Sequence, residues 1–306
     1  MNFLILQLAP GDVVDVLAGE AGAATPETMA ALRARYGLDQ PLQAQLLAYL
    51  QQVLTLDLGF SYRQNMPVAQ LIAGRLPPTL LLMGLALSLA LALGTLLGVL
   101  GARWVGRWPD LLISLGLLFS YAMPTFWIGL MAAMLFAAKL GWLPSGGMQS
   151  VSDPQQGLAW LLDLARHALL PSLTLASFYL AVYAKLVRTA MLELHNAEFV
   201  RTARAKGASP WRVTVHHALR NALLPLVTMV GLQLASLLSG AVLVETVFAW
   251  PGLGRLAYEA VLARDYNLLL GILLASSLLV ALINIAVDLV YALLDPRVEL
   301  AGAPST

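Results

Sequence analysis

Cysteine is absent from the 306 residues, which excludes a disulfide framework, thiolate metal ligation, an Fe–S cluster and a cysteine nucleophile. Charge is scarce as well: 11% of residues are Asp, Glu, Lys or Arg, against about 25% in soluble domains. The net charge is +1, so no overall basic field exists to attract nucleic acid. The four histidines, His167, His195, His216 and His217, fall in no H-E-x-x-H spacing and have no metal-site carboxylates arranged around them. No G-x-x-x-x-G-K-[ST] phosphate loop occurs, and Pro251-Gly-Leu-Gly254 does not supply one. Met1 to Leu8 lack a basic n-region and a small-residue cleavage site, so no removable signal peptide is expected.

What fills the chain is apolar: 59% of it is hydrophobic. A bilayer core about 30 Å thick needs about 20 mostly apolar residues of helix. Five stretches qualify: 79–102, 111–138, 168–183 continuing toward Val187, 222–244 and 268–294. Their only charges are Lys185, in the third extension, and Asp288. Backbone groups in hydrocarbon need internal partners, which favours helices over barrel strands. The expected fold is an all-α, polytopic membrane protein with five complete spans.

Basic residues in alternate loops set the orientation. Segments 103–110, 185–221 and the tail from Asp295 hold ten basic residues against five acidic ones, and the remaining loops hold eight against eleven. The first set is therefore expected in the cytoplasm. That assigns 1–78 to a remnant of a first span plus an outer helical cap, 79–294 to the membrane domain with a cytoplasmic loop at 188–221, and 295–306 to a cytoplasmic tail. Met1–Leu8 reads as the last turns of a helix whose first half is missing. In the cap, Thr25-Pro26-Glu27 opens a helix that Gly37 closes, Asp39-Gln40-Pro41 opens another, and Pro67 starts a third that Pro77-Pro78 ends.

The largest cytoplasmic loop spells two short helices with a break. The first, about 196–206, places Phe199, Val200 and Ala203 on one face, carries Arg201, Arg204 and Lys206, and stops at Gly207. The second takes Ser209 as N-cap and Pro210 at N1 and runs on beyond Pro225. Such basic helices anchor at lipid headgroups or seat in a groove of a partner protein. The glycine break and second cap favour the partner.

This loop resembles the inner-membrane permeases of bacterial ABC importers for dipeptides, oligopeptides and nickel. Arg201-Thr202-Ala203 stands where the family's EAA motif has Glu-Ala-Ala, followed by Arg204-Ala205-Lys206 and Gly207, then by His217-Ala-Leu-Arg-Asn-Ala-Leu-Leu-Pro225. The likeness extends through Pro10-Gly11-Asp12, Tyr36-Gly37-Leu38-Asp39-Gln40-Pro41, Asp57-Leu58-Gly59-Phe60-Ser61, Arg75-Leu76-Pro77-Pro78, Met123-Pro124-Thr125-Phe126-Trp127, the run Glu245 to Gly254, Arg264-Asp265-Tyr266 and Asp295-Pro296-Arg297. Two features depart from it: the missing first of six family spans, and Asn267 where members often carry proline.

The resemblance implies a transport subunit without enzymatic activity of its own. It implies a second permease, two cytoplasmic ATPases that hold ATP and Mg, and an external solute-binding protein, with Glu198, Arg201, Thr202, Ala203, Arg204, Ala205, Lys206 and Gly207 coupling to the ATPase. No cofactor is expected on this chain. Peptides are the expected solute, with nickel or glutathione-like solutes as alternatives. An ion-gradient transporter would need paired midplane acids, and only Asp288 is available, off centre. Asp288 is expected to pair with Lys185 or Arg188, as a latch between transport states or as a static ion pair. Gly94-x-x-x-Gly98 fits close helix packing. Pro124 and Pro171 are expected to kink their spans.

Overall fold

The computed structural model describes residue 27, residues 29–30, 34, 39–47, 58–61, 63–150, 156–194 and 197–294, with side chains omitted at 210, 216–218, 224, 227–228, 288 and 290–294. The first-span remnant, Pro10-Gly11-Asp12, most of the Thr25–Gly37 helix and the tail from Asp295 lie outside these residues. So does the side chain of Asp288.

The chain divides into two compact units. The larger comprises 78–254 and 280–306. Helix α1 (Val68–Arg103) supplies its first span. Pro77 and Pro78, expected to end a short outer helix, lie inside α1 instead. They remove two N–H groups but fix φ in the helical range, and a membrane helix tolerates this where neighbours re-satisfy the backbone. Separately, the Trp250 indole N–H donates to the Pro78 carbonyl at 2.9 Å and holds this part of α1.

The expected straight span over 111–138 is broken. Helix α2 (Trp108–Ala122) ends at Met123, held extended at ψ 139°, the conformation imposed on a residue preceding proline. Helix α3 (Thr125–Ala132) then starts from Pro124 and continues as a π-helix over Ala133–Lys139. The two halves meet at 109°, far more than the proline kink expected.

The long helix α4 (Leu158–Leu194) shows how this broken element crosses. Asp110 meets Arg188, Ser120 Oγ donates to the Ser177 carbonyl at 2.8 Å, and Tyr121 stacks on Phe178. Thus α2 runs antiparallel to α4 in register. A side chain at Gly129 would contact Thr174 and Phe248, so the nine positions from Ser120 to Gly129, across the break, accompany only three of α4: the second half swings aside. Beyond it Ser150 bonds to Asp163, near the opposite end of α4, through its amide and hydroxyl, both at 2.7 Å. Four further helices, α1, α4, α8 (Leu224–Val247) and α10 (Tyr266–Leu294), are long and apolar enough to cross a membrane, and the bent pair counted as one span makes five.

Helix α4 is the core of this unit. Pro171 lies buried within it, as do Leu175, Tyr183 and Val187. Gly94 and Gly98 of α1 pack on it: a Cβ on Gly98 would lie 2.7 Å from the Ala184 carbonyl oxygen. The glycine pair is a helix contact point. Leucines facing outward from α2 and α10, such as Leu115, Leu118, Leu278 and Leu282, suit hydrocarbon.

The smaller unit holds 1–77 and 255–279. Residues 42–47 are helical behind Pro41, as expected. A two-residue hairpin pairs β1 (Phe60–Ser61) with β2 (Met66–Pro67). Helix α9 (Leu253–Leu262) and a turn through Arg264 lead into α10. The Ser61 hydroxyl of the hairpin donates to the buried Asp265 carboxylate. Asp265 also accepts the Leu268 amide at 3.1 Å, capping α10. Asn267 lies in the first turn of α10 and donates Nδ2 to the Phe60 carbonyl at 3.4 Å, so the departure from proline adds a contact to the hairpin.

Candidate functional site

The segment expected to dock folds as α5 (Glu198–Ala205), then α6 (Pro210–Arg212), a π-helix over Val213–Leu219 and α7 (Arg220–Ala222). Alternation of apolar and charged residues makes α5 two-faced. Val200 and Ala203 are buried against Val213, with Ala197 and Ala208 beside them. Glu198, Arg201, Thr202, Arg204, Ala205 and Lys206 are exposed. Phe199, expected to share a face with Val200 and Ala203, is exposed, at 40%, and Trp211 stands out at 68%.

Gly207 has φ +78°, a conformation that side chains resist. Its amide donates to the Arg204 carbonyl at 2.9 Å, and the Ala208 amide reaches back to Ala203 at 3.1 Å. These two bonds define a Schellman cap with glycine at C′. Ser209 Oγ accepts the Arg212 amide at 3.4 Å, as its N-cap role anticipates. The expected continuous second helix is interrupted by the π-helix and by the turn at Leu223.

Arg188 clamps Asp110 with two bonds, Nε to Oδ1 at 2.9 Å and Nη2 to Oδ2 at 2.8 Å. Asp110 also accepts the Gly106 amide at 3.1 Å. The fork fastens the 103–107 turn to the last turns of α4, bringing both basic loops to one end of the unit. Lys185 is exposed on α4.

At the opposite end a second constellation has formed around the Glu245–Gly254 landmark. Glu245 is fully buried and accepts the Thr79 hydroxyl at 2.6 Å. The same Thr79 oxygen accepts the Leu253 amide at 2.8 Å. Phe248 and Trp250 are fully buried, and the Phe248 carbonyl accepts the Gly147 amide at 2.8 Å. A side chain at Gly252 would overlap the Glu245 carboxylate. The carboxylate's role was not legible in the sequence: its partner Thr79 is 166 residues away.

Several long apolar helices and a capped cationic hairpin, in a sequence without a nucleotide loop, define a multi-pass membrane component. Residues 94–300 match the family described as binding-protein-dependent transport system inner membrane component, and this chain belongs to that family. It is 41% identical over 298 residues to a protein of Brucella ovis named as a peptide permease, covering 97% of this chain and 92% of that one. It is 40% identical over 313 residues to the di/tripeptide transport system permease protein DppB of Pseudomonas aeruginosa, covering 98% and 93%. An inward-facing structure of the MetNI methionine ABC transporter matches with a TM-score of 0.59 at 19% identity, covering 74% of this chain and 97% of that one; this likeness shows the fold. The chain is a transport subunit of the bacterial inner membrane, and ATP hydrolysis belongs to separate subunits. Membership implies ATPase and substrate-binding partners.

Proposed function

We propose that this chain is one of two companion permeases that together move peptides inward across the membrane, driven by two cytoplasmic ATPases that bind ATP and Mg and supplied by an external peptide-binding protein. The names of relatives that align over nearly the whole chain support the peptide solute. The basic end is taken as cytoplasmic, following the loop charges.

The observation that carries the docking role is the two-sidedness of α5. Its apolar side is satisfied by Val213, leaving a side that presents Glu198, Arg201, Thr202, Arg204 and Lys206 outward. A helix with its own small core and a rigid cap moves as a body when a groove grips it. ATP-driven closure of the ATPase pair then displaces α5, and the spans follow.

The test reconstitutes the chain with its companion permease and ATPases in vesicles and measures ATP-dependent uptake of a radiolabelled dipeptide mixture. A Thr202→Cys variant carries a short crosslinker. Crosslinking to the ATPase together with peptide uptake supports the assignment; crosslinking only to lipid, or ATP hydrolysis without peptide uptake, overturns it.

A further inference from the structure

The middle of α8 carries a group of polar side chains, one of them without a partner among the described residues. Ser236 and Ser239 are exposed, between Leu232 and Leu243, which are exposed as well. The Ser236 hydroxyl donates to the Gln233 carbonyl at 2.7 Å and accepts a long bond from Tyr179 Oη of α4 at 3.4 Å. Gly240, one turn further on, also approaches that Tyr179 hydroxyl, leaving no side chain over it. Gln233 Oε1 is buried and has no partner among the described residues; nor has the hydroxyl of Tyr183, which is fully buried one turn along α4. The two tyrosine rings are neighbours, 6.5 Å between centroids.

These positions fall near the centres of α4 and α8, where hydrocarbon offers an amide or phenol nothing to bond. Polar groups at that depth persist where they line water or face a ligand. An orphaned amide oxygen is costly to keep buried, and Gln233 lies one turn before Ser236 on α8. Every group in the cluster is neutral, and each offers a hydrogen bond without demanding a charge. A chain of amides with variable side chains is the solute such a surface suits.

We propose that the α8 face formed by Gln233, Ser236 and Ser239, with Tyr179 beside it, lines the hydrated solute pathway and hydrogen-bonds the backbone amides of a peptide in transit. This rests on the peptide-importer reading for the nature of the solute, and on the membrane placement alone for the pathway.

The cysteine-free sequence permits a direct test in the complete assembly. Ser236→Cys, Ser239→Cys and, as a lipid-facing control on α10, Leu282→Cys are exposed to a charged, membrane-impermeant thiol reagent, and modification is read on this chain. The two serine positions should react at least tenfold faster than position 282, and a saturating dipeptide mixture should slow position 236 severalfold. Rates at 236 and 239 no higher than at 282 would overturn the pathway assignment, whether lipid or the companion permease covers the face. Fast modification unaffected by peptide would overturn the peptide contact. Gln233→Leu, close in volume, should raise the KM for uptake severalfold without lowering thermal stability; an unchanged KM would also count against the contact. Uptake of the same dipeptides by the unsubstituted assembly is measured alongside, so that a failure of the peptide reading is seen separately from a failure at this face.

Discussion

Arg188 holds Asp110 through a two-pronged ion pair across 78 residues of sequence, and it does so beside Gly101, where a side chain would press on the arginine stem at 3.2 Å. The carboxylate side chain is 9% exposed and the guanidinium 29%. Removing one partner of a buried pair costs about 3–5 kcal/mol, and the partial exposure of Arg188 puts this one toward the lower end. Asp110→Asn and Arg188→Met should each lower the unfolding temperature of the detergent-solubilised protein. Arg188→Lys should rescue little, because an ammonium cannot reproduce the fork. Equal stability of the lysine variant and the native protein would show that the geometry is immaterial.

At Gly207 the requirement is conformational. A Cβ on this residue would meet nothing within 4 Å, so space is available and only φ +78° resists substitution. Gly207→Val should disfavour the cap by about 1–2 kcal/mol and uncouple ATP hydrolysis from uptake, with membrane insertion intact. Gly207→Asn should retain most coupling, since asparagine tolerates the left-handed region. The ratio of transport to hydrolysis in vesicles separates the two, and equal behaviour of both variants would contradict the reasoning.

The α1–α4 contact makes the opposite demand, for space. Gly98→Ala places a methyl 2.7 Å from a backbone oxygen and 2.8 Å from Val187 Cβ, an overpacking that typically costs about 1–3 kcal/mol. Gly84→Ala on the same helix meets nothing within 4 Å and should be neutral or slightly stabilising. Thermal unfolding of the two variants provides a controlled comparison.

Around Glu245 the hydroxyl of Thr79 serves as donor and acceptor at once. Thr79→Val removes both functions and should destabilise by about 1–3 kcal/mol, the penalty for orphaning a buried polar group. Glu245→Gln keeps an acceptor oxygen for Thr79 and should be milder. Gly254→Ala sets a methyl 2.5 Å from the Val242 Cα, a backbone atom that no rotamer change can move aside, and should impair folded yield the most. Yields and unfolding temperatures in that order would support this account; a Glu245→Gln variant worse than Thr79→Val would refute it.

Much of this was legible in the residues themselves. The apolar runs located four helices long enough to cross and the bent pair at 108–139, because a bilayer demands length and hydrophobicity in one stretch. Gly207 and Ser209 announced the break and restart of the basic hairpin through local backbone chemistry. Hidden features were those set by distant partners. The Asp110–Arg188 and Thr79–Glu245 pairs depend on which helices meet, and local pattern carries no record of that. Pro77-Pro78 read as a stop, yet α1 passes through them, since the φ that proline fixes lies in the helical range. Phe199 shares a face with Val200 and Ala203 by periodicity, yet only those two are buried against Val213.

Helix α4, at 37 residues, is roughly 55 Å long, well beyond the hydrocarbon thickness of about 30 Å. One continuous helix therefore joins the end that bears Arg188 to the end that bears Asp163. Under the docking proposal, a displacement at the basic end then has a single unbroken backbone along which to act, with no hinge between helices in its way.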